Sequence, residues 1–347
     1  MTWAWWMIGI FLLLQIVLLA YLLVSKARSI RYEAKLDTLF DELLPEVIAY
    51  SAEESAALPD LPKDRKLRKE VLELLLSRLS TITQESREQE RLHQLAVEEL
   101  QPLYKKMLLK GSWSARMNAL YFIEDFALQE MQDDIYLHVR RLSEEQDEFR
   151  QAMRTLATLS DPRTVELIMN CNRISLTFIK EILRRFDEDQ LHELKTALDA
   201  SEESNELLLQ AFLVHVGERH LINFLEDVEQ ALESDSKEIR LKAMKSIIFY
   251  QFMMHPEKIK VFMTSPYWEE RMYACKVTAA LSKETWREEL MELLGDQEWW
   301  VRFAAAEALN TFSDGMIILE YAKNNHKDRY GRDMAAQMLT TFTEVNK

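Results

Sequence analysis

The sequence predicts an all-α chain in which a membrane-spanning helix is followed by a stack of helix pairs. Three observations predict it. Glycine (6) and proline (7) are scarce among the 347 residues, whereas sheet-rich chains need turns that favour both. Leu, Glu, Ala, Met, Lys and Arg dominate, and all are strong helix formers. A pattern of arginine followed three residues later by alanine also returns about every thirty residues along the second half of the chain.

The first element is apolar. Trp3 to Val24, WAWWMIGIFLLLQIVLLAYLLV, carries no charged side chain, and about 20 such residues cross a bilayer core. Trp3, Trp5 and Trp6 gather at one end and Tyr21 near the other, as interfacial aromatics do. Lys26, Arg28, Arg31 and Lys35 follow against the single acid Glu33. By the positive-inside rule this flank is expected in the cytoplasm and the short uncharged start outside, with no outside domain. The basic start and small-residue cleavage site of a signal peptide are not visible. Residues 1–25 are therefore expected to be an uncleaved anchor. Gln15 lies mid-span: it is either a tolerated amide or a contact with a second membrane helix.

Residues 26–66 are expected to form a juxtamembrane amphipathic helix and a linker. Leu36, Leu39, Phe40, Leu43, Leu44 and Val47 keep helical spacing. Ser51 to Lys66 breaks that pattern with two prolines and clustered small or charged residues. The basic stretch Pro62 to Glu70 holds Lys63, Arg65, Lys66, Arg68 and Lys69. It reads either as a solvated helix start or as a surface for anionic headgroups. Residues 67–110 supply good helices that lack the arginine–alanine frame, and read as a cap or degenerate repeat.

Residues 111–347 carry the repeats. In DQEWWVRFAAAEAL, Asp296 is the expected N-cap, and Val301, Ala305, Ala308, Leu309 and Phe312 mark one apolar face. Small residues let a neighbouring helix come close, and the large residues fill what remains. The same frame gives Arg116/Ala119, Arg240/Ala243, Arg271/Ala274, Arg302/Ala305 and Arg332/Ala335. Arg150 heads a weaker copy, and Leu208/Ala211 keeps the frame without its arginine. A degenerate unit is expected around CNRISLTFIKEILRRF. Second apolar helices, clearest in KETWREELMELLG and GMIILEYAKNN, lie between copies. Such a pair cannot hide its apolar face alone, so neighbours stack into an α-solenoid.

On Asp296, Val301, Arg302, Ala305 and Leu309, with Arg240/Ala243 and Arg271/Ala274 behind them, residues 105–347 resemble HEAT-like repeats. The resemblance implies that an acid and an arginine bridge adjacent units as a ladder. Asp296 and Arg302 fit it. Asp235 lies one residue too close to Arg240, and Ser265 stands where the Arg271 unit should have an acid. A column of arginines also has an anion-binding reading, but fixed helix-start positions between stacked units favour structural pairing. Trp268, Trp299 and Trp300 serve either packing or a partner platform.

The expected chemistry is sparse. The net charge of −15, from 58 acids against 43 bases, opposes nucleic-acid binding, which needs a basic surface. His215, Glu218 and His220 sit close in sequence, but the histidines are off the i, i+4 spacing of a helical metal pair, so a surface pair at a helix end is expected. The HEAT-like deoxyhypusine hydroxylases hold iron with several His-Glu dipeptides, and this chain has one, His192-Glu193. Cys171 and Cys275, far apart in apolar patterns, read as buried thiols. No nucleophile elbow or glycine-rich phosphate loop occurs. Acidic runs at Glu144–Glu148, Asp187–Asp189 and Glu202–Glu203 read as helix starts or as a groove for a basic partner.

The expectation is a non-enzymatic scaffold without cofactor, in the cell membrane of a bacterium, with its C-terminal domain cytoplasmic. It would bind protein partners, in particular a membrane protein or membrane-bound complex. By resemblance it would serve a machine such as cell-surface polysaccharide synthesis or export. The alternative is a HEAT-like-fold enzyme, a lyase or metal-dependent.

Overall fold

The computed structural model describes residues 2–53, 58–83, 86–201 and 205–345, without the side chains of Thr2, Ala4, Ile8 and 341–345. The described residues are helical, with no strand among them. The chain divides into two compact units, Met1–Thr164 and Val165–Lys347.

The first unit begins with α1 (Thr2–Ser51), 50 residues long. The apolar stretch and the amphipathic stretch that continues it are one helix, unbroken through Pro45. The most apolar window of Trp5–Ser51 has a mean hydropathy of 2.8 and is wholly unburied. By length and composition this helix can cross a membrane. Its far end is the buried part: Leu43, Val47 and Tyr50 are buried, and α1 packs against α2 (Arg65–Ser80) and α3 (Ser86–Glu99). The start of α2 is set by Asp64, whose Oδ1 accepts from the Lys66 and Leu67 amides at 2.9 and 3.0 Å, a side-chain N-cap.

Next come α4 (Gln101–Lys110), α5 (Trp113–Asp125), α6 (Gln132–Val139) and α7 (Asp147–Thr158). Helix α5 packs on α7, with α4 and α6 beside them. Helix α8 (Arg163–Met169) bridges the boundary in sequence.

In the second unit, α9 (Leu176–Leu183), α10 (Glu188–Ala200), α11 (Glu206–Glu218), α12 (Leu225–Gln230), α13 (Lys237–Tyr250), α14 (Glu257–Lys260), α15 (Trp268–Ala280), α16 (Arg287–Leu293), α17 (Trp299–Asn310), α18 (Gly315–Asn325) and α19 (Arg329–Val345) follow. Alternate helices stack in order: α9 on α11, α11 on α13, α13 on α15, α15 on α17 and α17 on α19. Helices α12, α16 and α18 lie between them and pack on the next member of the stack.

The alanine frame explains the stacking. Ala211, Ala243, Ala274, Ala305 and Ala335 are fully buried, as is Ala119 in the first unit. Gly217 of α11 shows how close two helices come: a Cβ there would lie 2.7 Å from Ser246 Cα of α13, and Ser246 Oγ donates to the Leu213 carbonyl at 2.8 Å. The expected face of α17 is buried as well, at Val301, Ala305, Ala308, Leu309 and Phe312.

Turns after these helices repeat too. Ala127, Ser160, His220 and Ser282 have φ between 47 and 54°, just past α5, α7, α11 and α15. After α5, the Ala127 amide donates to the Glu124 carbonyl and the Leu128 amide to Ile123. The same pair of bonds recurs at the other three. This is the Schellman closure, here built without glycine.

Candidate interaction surfaces

The arginine column comes first. Arg116, Arg240, Arg271, Arg302 and Arg332 each occupy the fourth residue of their helix. Each turns Nη1 back to a carbonyl of its own preceding turn: Gly111 (2.9 Å), Ser234 (2.7 Å), Ser265 (2.8 Å), Asp296 (2.7 Å) and His326 (2.6 Å). Inter-repeat carbonyls that no helix satisfies are thereby bonded.

The remaining guanidinium edge reaches the next unit. Arg116 Nη2 meets Glu148 at 2.7 Å, Arg240 Nη2 meets Glu270 at 2.6 Å, and Arg271 Nε and Nη2 grip Asp296 at 2.7 and 2.9 Å. The ladder thus corrects the expected pairings. Asp296 pairs with Arg271 of the preceding unit, and Arg302 takes only its backbone carbonyl. Asp235 offers Arg240 a carbonyl rather than a carboxylate. Where Ser265 replaces an acid, Glu270 supplies the carboxylate and Ser265 Oγ donates to it. The helix start is corrected as well: Glu298 is the N-cap of α17, and Asp296 Oδ1 accepts the Glu298 amide at 2.9 Å. At Glu148 burial pushes the carboxyl up, but hydrogen bonds from Arg116 and His138 outweigh it and hold the group below its ordinary range. Arg116, Arg240 and Arg271 are thus held between a carbonyl and a carboxylate, whereas the hydrogen bonds of Arg302 and Arg332 go to carbonyls alone.

Past Asp296 the ladder changes chemistry. His326, buried, takes the place of the acid and faces the Met291 carbonyl through Nε2 at 2.9 Å. Arg302 lies 5.1 Å from the centre of the Tyr330 ring, and Lys237 lies 5.5 Å from Tyr267. Cation–π contacts thus join α17 to α19 and α13 to the start of α15.

The aromatics of the helix starts form an exposed edge. Tyr267, Trp299, Trp300 and Tyr330 are exposed, Trp300 to 56 %, while Trp268 is half-buried. Trp299 stacks on Phe303 at 5.0 Å and meets Trp300 edge-on at 4.8 Å. Trp299 is held between its two neighbours, and Trp300 is the more exposed of the pair.

The basic stretch separates likewise. Arg68 pairs with Glu99 at 3.1 Å and Lys69 with Glu73 at 3.0 Å. Lys63, Arg65 and Lys66 are exposed at the start of α2, with Lys66 Nζ 4.7 Å from the Tyr32 ring of α1. In α1, Trp3, Trp5, Trp6, Gln15, Tyr21, Lys26, Arg28 and Arg31 are all exposed.

The histidine motif is a correction. His215 is buried, not at the surface, and burial lowers its pKa to about 4, whereas His220 is exposed in the turn after α11. His192 packs on Phe224, ring centres 4.4 Å apart. Cys275 is fully buried and its thiol pushed up by burial; Cys171 is half-buried, and its Sγ donates to the Leu167 carbonyl. No group of three or more metal-ligating side chains occurs among the described residues. Asp187 caps α10 with a capping box, and Asp147 and Glu148 open α7, as helix-start acids. Glu202 and Glu203 lie outside the described residues.

One feature escaped the sequence. A cleft of roughly 310 Å³ in the first unit is lined by Leu76, Gln89, Leu92, His93, Asp125 and Phe126. Ser77 donates to Asp125 at 2.7 Å, and His93 Nε2 meets Glu130 at 3.2 Å. Its residues come from helices distant in sequence, and no spacing rule joins them.

Residues 255–340 match the family model for HEAT repeats. The chain carries HEAT-like repeats, recognised from α14 into α19. No curated protein matches it. Among solved structures, an engineered protein aligns at 15 % identity with a TM-score of 0.34, covering 82 % of this chain and 96 % of that one. The complex of CpcE and CpcF of phycocyanin lyase from Nostoc sp. PCC7120 aligns at 14 % identity with a TM-score of 0.29, covering 69 % and 93 %.

Proposed function

We propose that this chain is a membrane-tethered scaffold that binds a protein partner through its helix-pair stack, with a binding rather than a catalytic role. The observation that carries the reading is the exposed aromatic edge Tyr267, Trp299, Trp300 and Tyr330 on successive stacked helices. Large aromatics anchor interfaces because they bury much area with few rotatable bonds. HEAT repeats suit this role, since stacked pairs present long surfaces to extended partners. The apolar, unburied first half of α1 supports a tether with residues 3–24 in the bilayer, the short N-terminal end outside and the remainder in the cytoplasm. Tethering raises the local concentration of a held partner. The partner class is a membrane protein or membrane-bound complex, and machinery for cell-surface polysaccharide is one such complex.

The test places a photocrosslinking residue at Trp300 in the full chain and, as control, at Ile222, exposed before α12. The expected result is one discrete adduct with a membrane protein from the Trp300 position alone, lost in a Trp299→Ala/Tyr330→Ala background. Equal adducts from both positions, or none from either, would refute the aromatic edge as the binding surface.

A further inference from the structure

We infer that the side of α1 facing α2, together with the start of α2, forms a basic collar that docks on the anionic headgroups of the membrane leaflet. This rests on the tether reading. Arg28, Arg31 and Lys35 follow one another at three- and four-residue steps, so they share one face of α1. Tyr32 belongs to that face, and Lys66 of α2 lies over its ring at 4.7 Å. Lys35 acts electrostatically on Asp64, the cap of α2. The face therefore looks toward Lys63, Arg65 and Lys66, all exposed. The nearby acids of α1, Glu33 and Asp37, lie off that face by helical spacing, and Glu33 accepts from Ser29 at 2.9 Å. Six bases thus gather against Asp64 and Glu70 in a chain whose net charge is −15.

Height decides what this cluster can touch. Helix α1 is continuous from the apolar stretch onward, and each residue rises about 1.5 Å. Arg28 lies about 6 Å past Val24, Tyr32 about 12 Å and Lys35 about 16 Å. Headgroups extend roughly 5–7 Å beyond the hydrocarbon on each side. Arg28 is thus within the headgroup layer, and Lys66, level with Tyr32, stands about 5–7 Å above it. That is inside the Debye length of about 8 Å at physiological salt. The first buried residue of α1, Leu43, is about 28 Å from Val24, so the packed body of α2 and α3 stands clear of the lipid. Only the start of α2 comes down to it. The charge-complementary partner at that height is an anionic lipid surface.

The test acylates lysines of the full chain in nanodiscs of phosphatidylcholine alone and of phosphatidylcholine with phosphatidylglycerol, read by mass spectrometry at Lys63 and Lys66. The expected result is protection of both by roughly threefold or more in the anionic discs, abolished at 1 M salt, where the Debye length falls to about 3 Å. Equal rates in the two discs would overturn the collar, as would protection that is insensitive to salt. Amide hydrogen exchange of residues 3–24 is followed in the same samples. Slow exchange there, with unprotected lysines, sinks the collar and leaves the tether standing; exchange at the rate of free peptide removes both.

Discussion

Replacing Arg271 by alanine is the sharpest test of the ladder. Its guanidinium makes two bonds to Asp296 and one to the Ser265 carbonyl. The side chains of Arg271 and Asp296 are 16 % and 8 % exposed. Removing one partner of a fully buried pair costs about 3–5 kcal/mol, chiefly because the other charge is left without compensation. Asp296 keeps the Glu298 amide and some solvent, so the expected loss is about 2–4 kcal/mol. Arg302→Ala removes carbonyl bonds and a ring contact but no carboxylate partner, and about 1–2 kcal/mol is expected. Repeat arrays unfold piecewise, so the assay is hydrogen exchange of α15 and α17 in the purified full chain, supported by urea unfolding. Arg271→Ala should speed exchange in both helices well beyond Arg302→Ala. Asp296→Leu added to Arg271→Met should restore much of the loss, because no buried charge is then unpaired. Equal effects of the two alanine variants, or a loss under about 1 kcal/mol at Arg271, would show that the pair is a surface ornament and not a rung.

Two further outcomes follow from the packing and the buried groups. Gly217→Ala should destabilise by about 1–3 kcal/mol, because its Cβ would sit 2.7 Å from Ser246 Cα; exchange in α11 and α13 reads it, and an unchanged rate would contradict the close approach. His215, with its pKa lowered to about 4 by burial, should leave stability unaffected above about pH 6.5. As pH falls from there toward 4 the unfolded chain takes up the proton first, and up to about 3 kcal/mol is lost, levelling below 4. His215→Gln should flatten that part of the pH–stability curve, and a curve that keeps its slope would place the titration elsewhere.

By itself the sequence determined that the chain is helical, that its first segment is apolar enough for a bilayer, and at which helix starts the arginine–alanine frame falls. These follow from local quantities: few breakers, an uncharged run, and an arginine–alanine frame that repeats because each pair must hide the same face. Ala243, Ala274, Ala305 and Ala335 are all fully buried, as that frame requires. Tertiary structure alone decided how the frame is used. Arg271 chooses Asp296 of the following unit, and Glu270 substitutes where Ser265 stands, because guanidinium reach is a matter of distance between stacked helices and not of sequence offset. It also decided that His215 is buried and that the start of α2 returns to the level of Tyr32. The cleft beside His93 belongs to the same class. A periodic pattern records which face of a helix is hidden, whereas the neighbour that hides it is set by three-dimensional packing, in which Lys66 and Tyr32 meet across more than thirty residues of chain.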